Sequence, residues 1–138
     1  MNQLLPRIKD VFNRLNGGNL DLLQSIYAPD VEFEDPVRRL HGLSELTDYY
    51  RRLYEGVTSC RFDFDQTIEQ GNQAVLTWVM HVEHARFRRG EIITLAGASH
   101  LRFDARIDYH RDYFDMGEFL YERIPVLSAV IRHIKQRL

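Results

Sequence analysis

Acid–base chemistry in this chain would fall to a small set of side chains. Along residues 107–115, alternation places Asp108, His110, Asp112 and Phe114 on one face of a strand and Tyr109, Arg111, Tyr113 and Asp115 on the other. A histidine and a carboxylate on one face can serve as base and acid, or the imidazole can stay neutral and hold a polar ligand group. The same two groups could instead pair with arginines at a sheet surface, where ion pairs contribute little. Alternation by itself leaves open which face is inside, since the tyrosines would also fill a core. Asp108, His110 and Asp112 offer oxygen and nitrogen ligands, yet alternate residues stand about 6–7 Å apart along a strand, and such a ladder seldom converges on one ion. His81 and His84 fall on opposite faces of an extended segment, so no metal site is expected. Asp35, immediately before Pro36, is the other carboxylate of note. As a turn residue it would accept hydrogen bonds from backbone N–H groups.

Other routes to chemistry lack support. The chain has no G-x-S-x-G elbow, Walker loop or dinucleotide fingerprint, so neither a serine nucleophile of that type nor a bound cofactor is expected. Cys60 is the single cysteine, which rules out an intrachain disulfide and the cysteine-rich zinc spacings and suits a reducing cytoplasm. A net charge of −2 over 138 residues gives no basic field for nucleic acid. The opening residues are broken by Pro6, Arg7, Lys9 and Asp10, so neither a signal core nor a membrane span is expected there.

The elements that must position these side chains change period midway. Leu4, Leu5, Ile8, Val11, Phe12 and Leu15 recur at helical spacing up to Gly17-Gly18. Asn19 could cap a short second helix with Leu22, Leu23 and Ile26 inside. Val31–Phe33 is extended and stops at Asp35-Pro36. A third helix from Leu43 presents Leu46, Tyr49, Tyr50, Leu53 and Tyr54. Alternation then sets in: Phe62, Phe64 and Ile68 share one face, then Leu76, Trp78, Met80 and Val82, then Ile93, Leu95, Leu101 and Phe103. Arg88–Glu91 and Asp104-Ala105 read as turns, so the strands should form antiparallel hairpins. Helices followed by a meander predict one α+β domain over 1–138. Its last part, 119–138, reads as an amphipathic helical extension beginning near Pro125, with Leu127, Val130, Ile131, Ile134 and Leu138 on one side. That helix could pack on its own domain or a partner subunit, or lie on a membrane surface.

The stretch from Ile26 to Pro36 (IYAPDVEFEDP), followed by His41-Gly42, resembles the Y-A-x-D-x-x-x-x-D-P…G stretch of the nuclear transport factor 2-like superfamily, including ketosteroid isomerases. Residues 99–104 (SHLRFD) with Arg106-Ile107 resemble its penultimate hairpin. Residues 111–115 (RDYFD) resemble the matching strand of limonene epoxide hydrolases and of the SnoaL-like polyketide-cyclase branch. The resemblance implies three N-terminal helices held in a strongly curved antiparallel sheet. The cone so formed would bind a small apolar molecule, and two copies would pair through the sheet.

The same resemblance implies site residues. Asp35 matches the carboxylate that moves a proton beside a carbonyl, a task that an apolar wall assists by raising its pKa. It turns the His110–Asp112–Phe114 face inward, with Asp112 and His110 assisting. Phe12, Tyr27, Tyr50, Trp78, Met80, Ser99, Phe103 and Phe114 would line the pocket, and His100 would point away from it. Other parts of the family machinery are missing. Val11 and Ser99 stand where the isomerases place their oxyanion donors, and residues 79–82 lack the arginine and aspartate of the epoxide hydrolases. Tyr27, Tyr49 or Tyr50 would have to replace the absent donors. The expected function is therefore a cofactor-independent isomerase, cyclase or hydrolase, or alternatively a noncatalytic ligand-binding or dimerisation module.

Overall fold

Burial of one apolar stripe makes the first element. In a computed structural model, which describes residues 3–86, 90–115, 133, 134, 136 and 137, α1 (Leu4–Arg14) buries Leu4, Leu5, Ile8, Val11 and Phe12. Pro6 is tolerated because the first-turn N–H groups have no helical partner. Leu15 turns extended and ends the helix.

Where a second α-helix is expected, Leu20–Ser25 forms a 3-10 helix. Asn19 caps nothing there, because its side chain is already committed to the end of α1. Its Oδ1 accepts from the Asn16 N–H at 2.7 Å, and its Nδ2 donates to the Arg14 carbonyl at 2.7 Å. The chain then enters β1 (Tyr27–Glu34), which is longer than Val31–Phe33 alone. A turn leads into β2 (Arg39–His41), a short strand with too few residues to show a period. Gly42 has φ +91°, a left-handed backbone that suits glycine. It precedes α2 (Leu43–Tyr54), whose inner face is Leu46, Tyr49 and Tyr50.

Four strands complete the sheet: β3 (Val57–Gln70), β4 (Gln73–His84), β5 (Ile93–Phe103) and β6 (Ile107–Phe114). The strand order is β2-β1-β6-β5-β4-β3, open at both edges. The expected wholly antiparallel sheet is in fact mixed, because β1 and β6 run parallel. Tight turns enforce antiparallel neighbours, and β1 and β6 are not joined by one. The main core lies between this sheet and the helices. Asn13 docks α1 on β3 by bonding both the carbonyl and the N–H of Phe62, at 3.1 and 2.8 Å.

Two irregularities decide which side chains face that core. In β3, Phe64 pairs with Trp78 but Thr67 pairs with Leu76, so Asp65 and Gln66 oppose the single residue Thr77. Such a bulge reverses the alternation beyond it. Phe62 and Phe64 stay inside, whereas Ile68 is turned out and is 62% exposed, contrary to the shared face read from the sequence. In β6, Arg102 pairs with Tyr109 and Phe103 with Ile107, which leaves Asp108 as the extra residue. Ile107 is therefore fully buried, and Asp108 stands beside Arg102 with its side chain 45% exposed.

Gly97 has a particular task. It faces Trp78 across β4 and β5, and the indole lies directly over it. A Cβ at this position would sit 2.4 Å from the indole Cη2. The expected C-terminal helix, 119–138, lies outside the described residues apart from 133, 134, 136 and 137. Residues 87–89 of the expected Arg88–Glu91 turn also lie outside them, while Gly90 has φ +85°.

Two outcomes follow from this geometry. Gly97→Ala should lower stability by about 1–3 kcal/mol, the usual result of overpacking, as measured by urea unfolding. At the β1–β2 pair, His41 Nδ1 lies 2.6 Å from Glu32 Oε1, and this hydrogen bond and charge raise the His41 pKa above its ordinary value. Any stability from the pair is thus full below the unfolded histidine pKa and fades as pH rises through the raised one. NMR titration should show His41 falling back toward the ordinary value in Glu32→Gln.

Candidate functional site

Trp78 begins a hydrogen-bond chain that runs through the core. Its indole Nε1–H donates to Ser99 Oγ at 2.9 Å, a reach made possible by the absence of a side chain at Gly97. Indole nitrogen is a donor only, so the Ser99 hydroxyl must pass its own proton onward. It donates to Asp112 Oδ1 at 2.5 Å, Ser99 and Asp112 being direct partners across β5 and β6. The same Oδ1 meets His110 Nε2 at 2.6 Å. On the other side of the imidazole, Nδ1 lies 2.6 Å from the Tyr27 hydroxyl, which in turn is 3.2 Å from the Tyr50 hydroxyl.

The chain is buried. His110 is 2% exposed, held between the rings of Phe12 and Phe33 with Tyr27 nearly parallel to it. Burial pushes the Tyr27 and Tyr50 hydroxyls well above the ordinary phenol range, so both keep their protons. Asp112 is the exception, with its side chain 18% exposed. Among the described residues nothing hydrogen-bonds its second oxygen, Oδ2. The only described cysteine, Cys60, is held as a thiol, because burial pushes its pKa up to about 11.

Asp112 stands where two spaces meet. Inward is a cavity of about 20 Å³, lined by Phe12, Phe62, Phe64, Trp78, Ser99, His110 and Asp112 among others. That volume holds roughly one water molecule. Outward is an open groove of about 670 Å³ between Glu34–Pro36 and Arg111–Phe114.

Asp35 lines this groove but not the cavity. Its Oδ1 accepts from the N–H groups of Val37 and Arg38 at 2.8 and 2.9 Å, and its backbone N–H donates to the Arg38 carbonyl at 2.9 Å. The Tyr49 hydroxyl donates to Oδ2 at 2.6 Å. Burial and this carboxylate together raise the Tyr49 pKa above the phenol range. Asp35 thus closes the turn before β2, and it also faces the groove that Asp112 shares.

The structure brings together Phe12, Trp78, Ser99, His110 and Asp112 around the cavity, with Tyr27 and Tyr50 behind the histidine. Phe114 lies at the groove, Phe103 is buried away from the cavity, and Met80 sits half-buried on the inner face without reaching it. Tyr27 belongs to β1 rather than to a helix. Asp108 leaves the His110–Asp112 face because of the bulge. Among the described residues no group of three or more metal-ligating side chains forms. His100 points to the outer face, where it meets Gln73 and Tyr109. The sequence reading missed Phe62 and Phe64 as lining residues, although their alternation on one strand was the available signal.

Fold and site together define a small α+β protein with a largely buried hydrogen-bond chain that reaches the groove at one carboxylate. A model of the SnoaL-like domain family matches residues 8–110, and the chain belongs to that family. No curated protein matches it in sequence. Among solved structures it is similar to an NTF2-like protein of unknown function from Burkholderia pseudomallei, at 23% identity over 87% of this chain and 96% of that one, with a TM-score of 0.74. A proposed SnoaL-like polyketide cyclase from Shewanella putrefaciens is 21% identical over 86% and 94%, with a TM-score of 0.70. An epoxide hydrolase of the limonene type from M. tuberculosis is 16% identical over 93% and 94%, again with a TM-score of 0.70. At these identities the likeness is one of fold, and one fold carries many activities. Among the described residues no helix is long and apolar enough to cross a membrane.

Asp35→Ala removes a carboxylate with three donors and leaves the Val37 and Arg38 N–H groups without it. It should lower stability by about 1–3 kcal/mol in urea unfolding, through loss of these bonds.

Proposed function

We propose that the chain is a cofactor-independent enzyme, an isomerase, cyclase or hydrolase, in which Asp112 with His110 moves a proton on a small apolar substrate. The observation that carries this reading is the 2.6 Å contact of the buried His110 with Asp112 Oδ1, beside an Oδ2 that none of the described residues hydrogen-bonds. Asp112 lines both the inner cavity and the outer groove, so a molecule in the groove can reach its carboxylate. Here one oxygen is held by two donors and the other is left for a substrate. Pro36 and Phe114 offer apolar surface in the groove that Asp112 also lines.

Substrate approaches Oδ2 from the groove, where Asp35 and the Tyr49 hydroxyl that it holds provide a second polar contact. Two copies pairing through the outer face of the sheet remain part of the proposal, supported by Tyr113 and Ile68, which are 48% and 62% exposed. The narrow inner cavity favours a second reading, a noncatalytic module whose cone is filled by its own side chains.

Turnover separates the two. Wild type and Asp112→Asn would be compared on a panel of compact ketones and epoxides, with circular dichroism to confirm that both fold. Asparagine can still accept from Ser99 and His110 but cannot take a proton, so the rate should fall by about 10²–10⁴-fold. Equal rates in the two proteins, or no turnover across the panel, would remove the enzyme reading.

A further inference from the structure

With the imidazole neutral, the hydrogen bonds around His110 can be satisfied in two ways. In one, Asp112 is ionised and accepts from Ser99 and from His110 Nε2–H, while the bare Nδ1 accepts from Tyr27. In the other, Asp112 carries a proton on Oδ1 and donates it to Nε2, while Nδ1–H donates to Tyr27. The two states differ in which group could take a proton from a substrate. Tyr27 decides between them, because its single hydroxyl proton has two recipients: His110 Nδ1 at 2.6 Å and the Tyr50 oxygen at 3.2 Å.

Given the acid–base reading above, on which this rests, we infer that Tyr27 is a positioning residue: it donates to His110 Nδ1, fixes the neutral Nε2–H tautomer, and so makes Asp112 the base and His110 its permanent donor. The distances favour this direction, since the 2.6 Å contact takes the proton and the 3.2 Å contact leaves the Tyr50 hydroxyl to donate to the Tyr27 oxygen. Every group is then satisfied in one sense of travel. Tyr50 gives to Tyr27, Tyr27 to His110, and His110 to Asp112, while Trp78 gives to Ser99 and Ser99 to the same Asp112 oxygen. Two donor arms thus converge on one carboxylate oxygen. With Nδ1 covered, the imidazole has no lone pair to offer, and the remaining acceptor at the mouth of the cavity is Asp112 Oδ2.

The ring cannot escape this by turning over. Phe33 meets it edge-on with centroids 5.1 Å apart, and Phe12 does so at 6.2 Å. A flipped ring would place carbon atoms against the Tyr27 hydroxyl and the Asp112 carboxylate, losing two buried hydrogen bonds.

The test reads the tautomer directly and needs no substrate. Nitrogen-15 NMR of labelled protein at neutral pH, through two-bond proton–nitrogen correlations, should show His110 Nε2 protonated and Nδ1 bare. In Tyr27→Phe the Nδ1 resonance should move toward the position of a nitrogen without a hydrogen bond, and the Nδ1–H tautomer should appear. In Tyr50→Phe, which keeps the Tyr27 hydroxyl, the wild-type tautomer should persist. A proton on Nδ1 in the wild type, protons on both nitrogens, or a Tyr27→Phe spectrum unchanged at His110 would each overturn the inference. Should Tyr27→Phe fail to fold, the wild type and Tyr50→Phe decide by the same signature. The expected tautomer in a protein without turnover would count against the proposed enzyme only. Turnover with the opposite tautomer would count against the role of Tyr27 only.

Discussion

A polar group taken out of water without a partner costs about 1–3 kcal/mol, and a charge costs more. His110 sits deep in an aromatic surround, with Asp112 at its edge, so tolerance of the imidazole depends on full satisfaction of its buried contacts. The partners come from all over the molecule: Tyr27 from β1, Tyr50 from α2, Trp78 from β4 and Ser99 from β5. The pair on β6 therefore fixes the relation of four strands and one helix. A slip of one residue at any of these ladders would point a partner to the other face and leave a buried group unpaired.

Glycine at 97 belongs to the same constraint. Any side chain there would lift the indole off the sheet and away from Ser99. Backbone space at one position is thus converted into orientation of a carboxylate two strands away from the indole. In the proposed enzyme, such support would hold the carboxylate within the narrow geometry that proton transfer needs.

The two aspartates illustrate how environment divides one chemistry into two tasks. Asp35 spends its oxygens on Val37, Arg38 and Tyr49, which fixes the turn that carries β1 into β2. Asp112 concentrates both of its donors on one oxygen, and among the described residues none hydrogen-bonds the other. Both aspartates line the groove between the two segments.

Much of this was legible in residue order. Helical spacing located α1 and α2, alternation located the four long strands, and the Ile26–Pro36 stretch carried the family resemblance. His110 and Asp112 could be named as a pair from type and spacing, because a strand's period puts them on one side. Asp35 as a candidate and the inward direction of that face came from the family resemblance. Three things could not be read. The bulges at Asp65-Gln66 and Asp108 reverse alternation through a mismatch between two strands, which neither strand records alone. The parallel pairing of β1 with β6 joins segments far apart in the chain. The partners of His110 lie on other elements, and a hydroxyl 83 positions away becomes a neighbour only once the sheet has formed. Local physical chemistry wrote the elements and the chemical candidates into the sequence. Which carboxylate oxygens are engaged belonged to the tertiary structure, because it depends on which donors the fold brings to each oxygen.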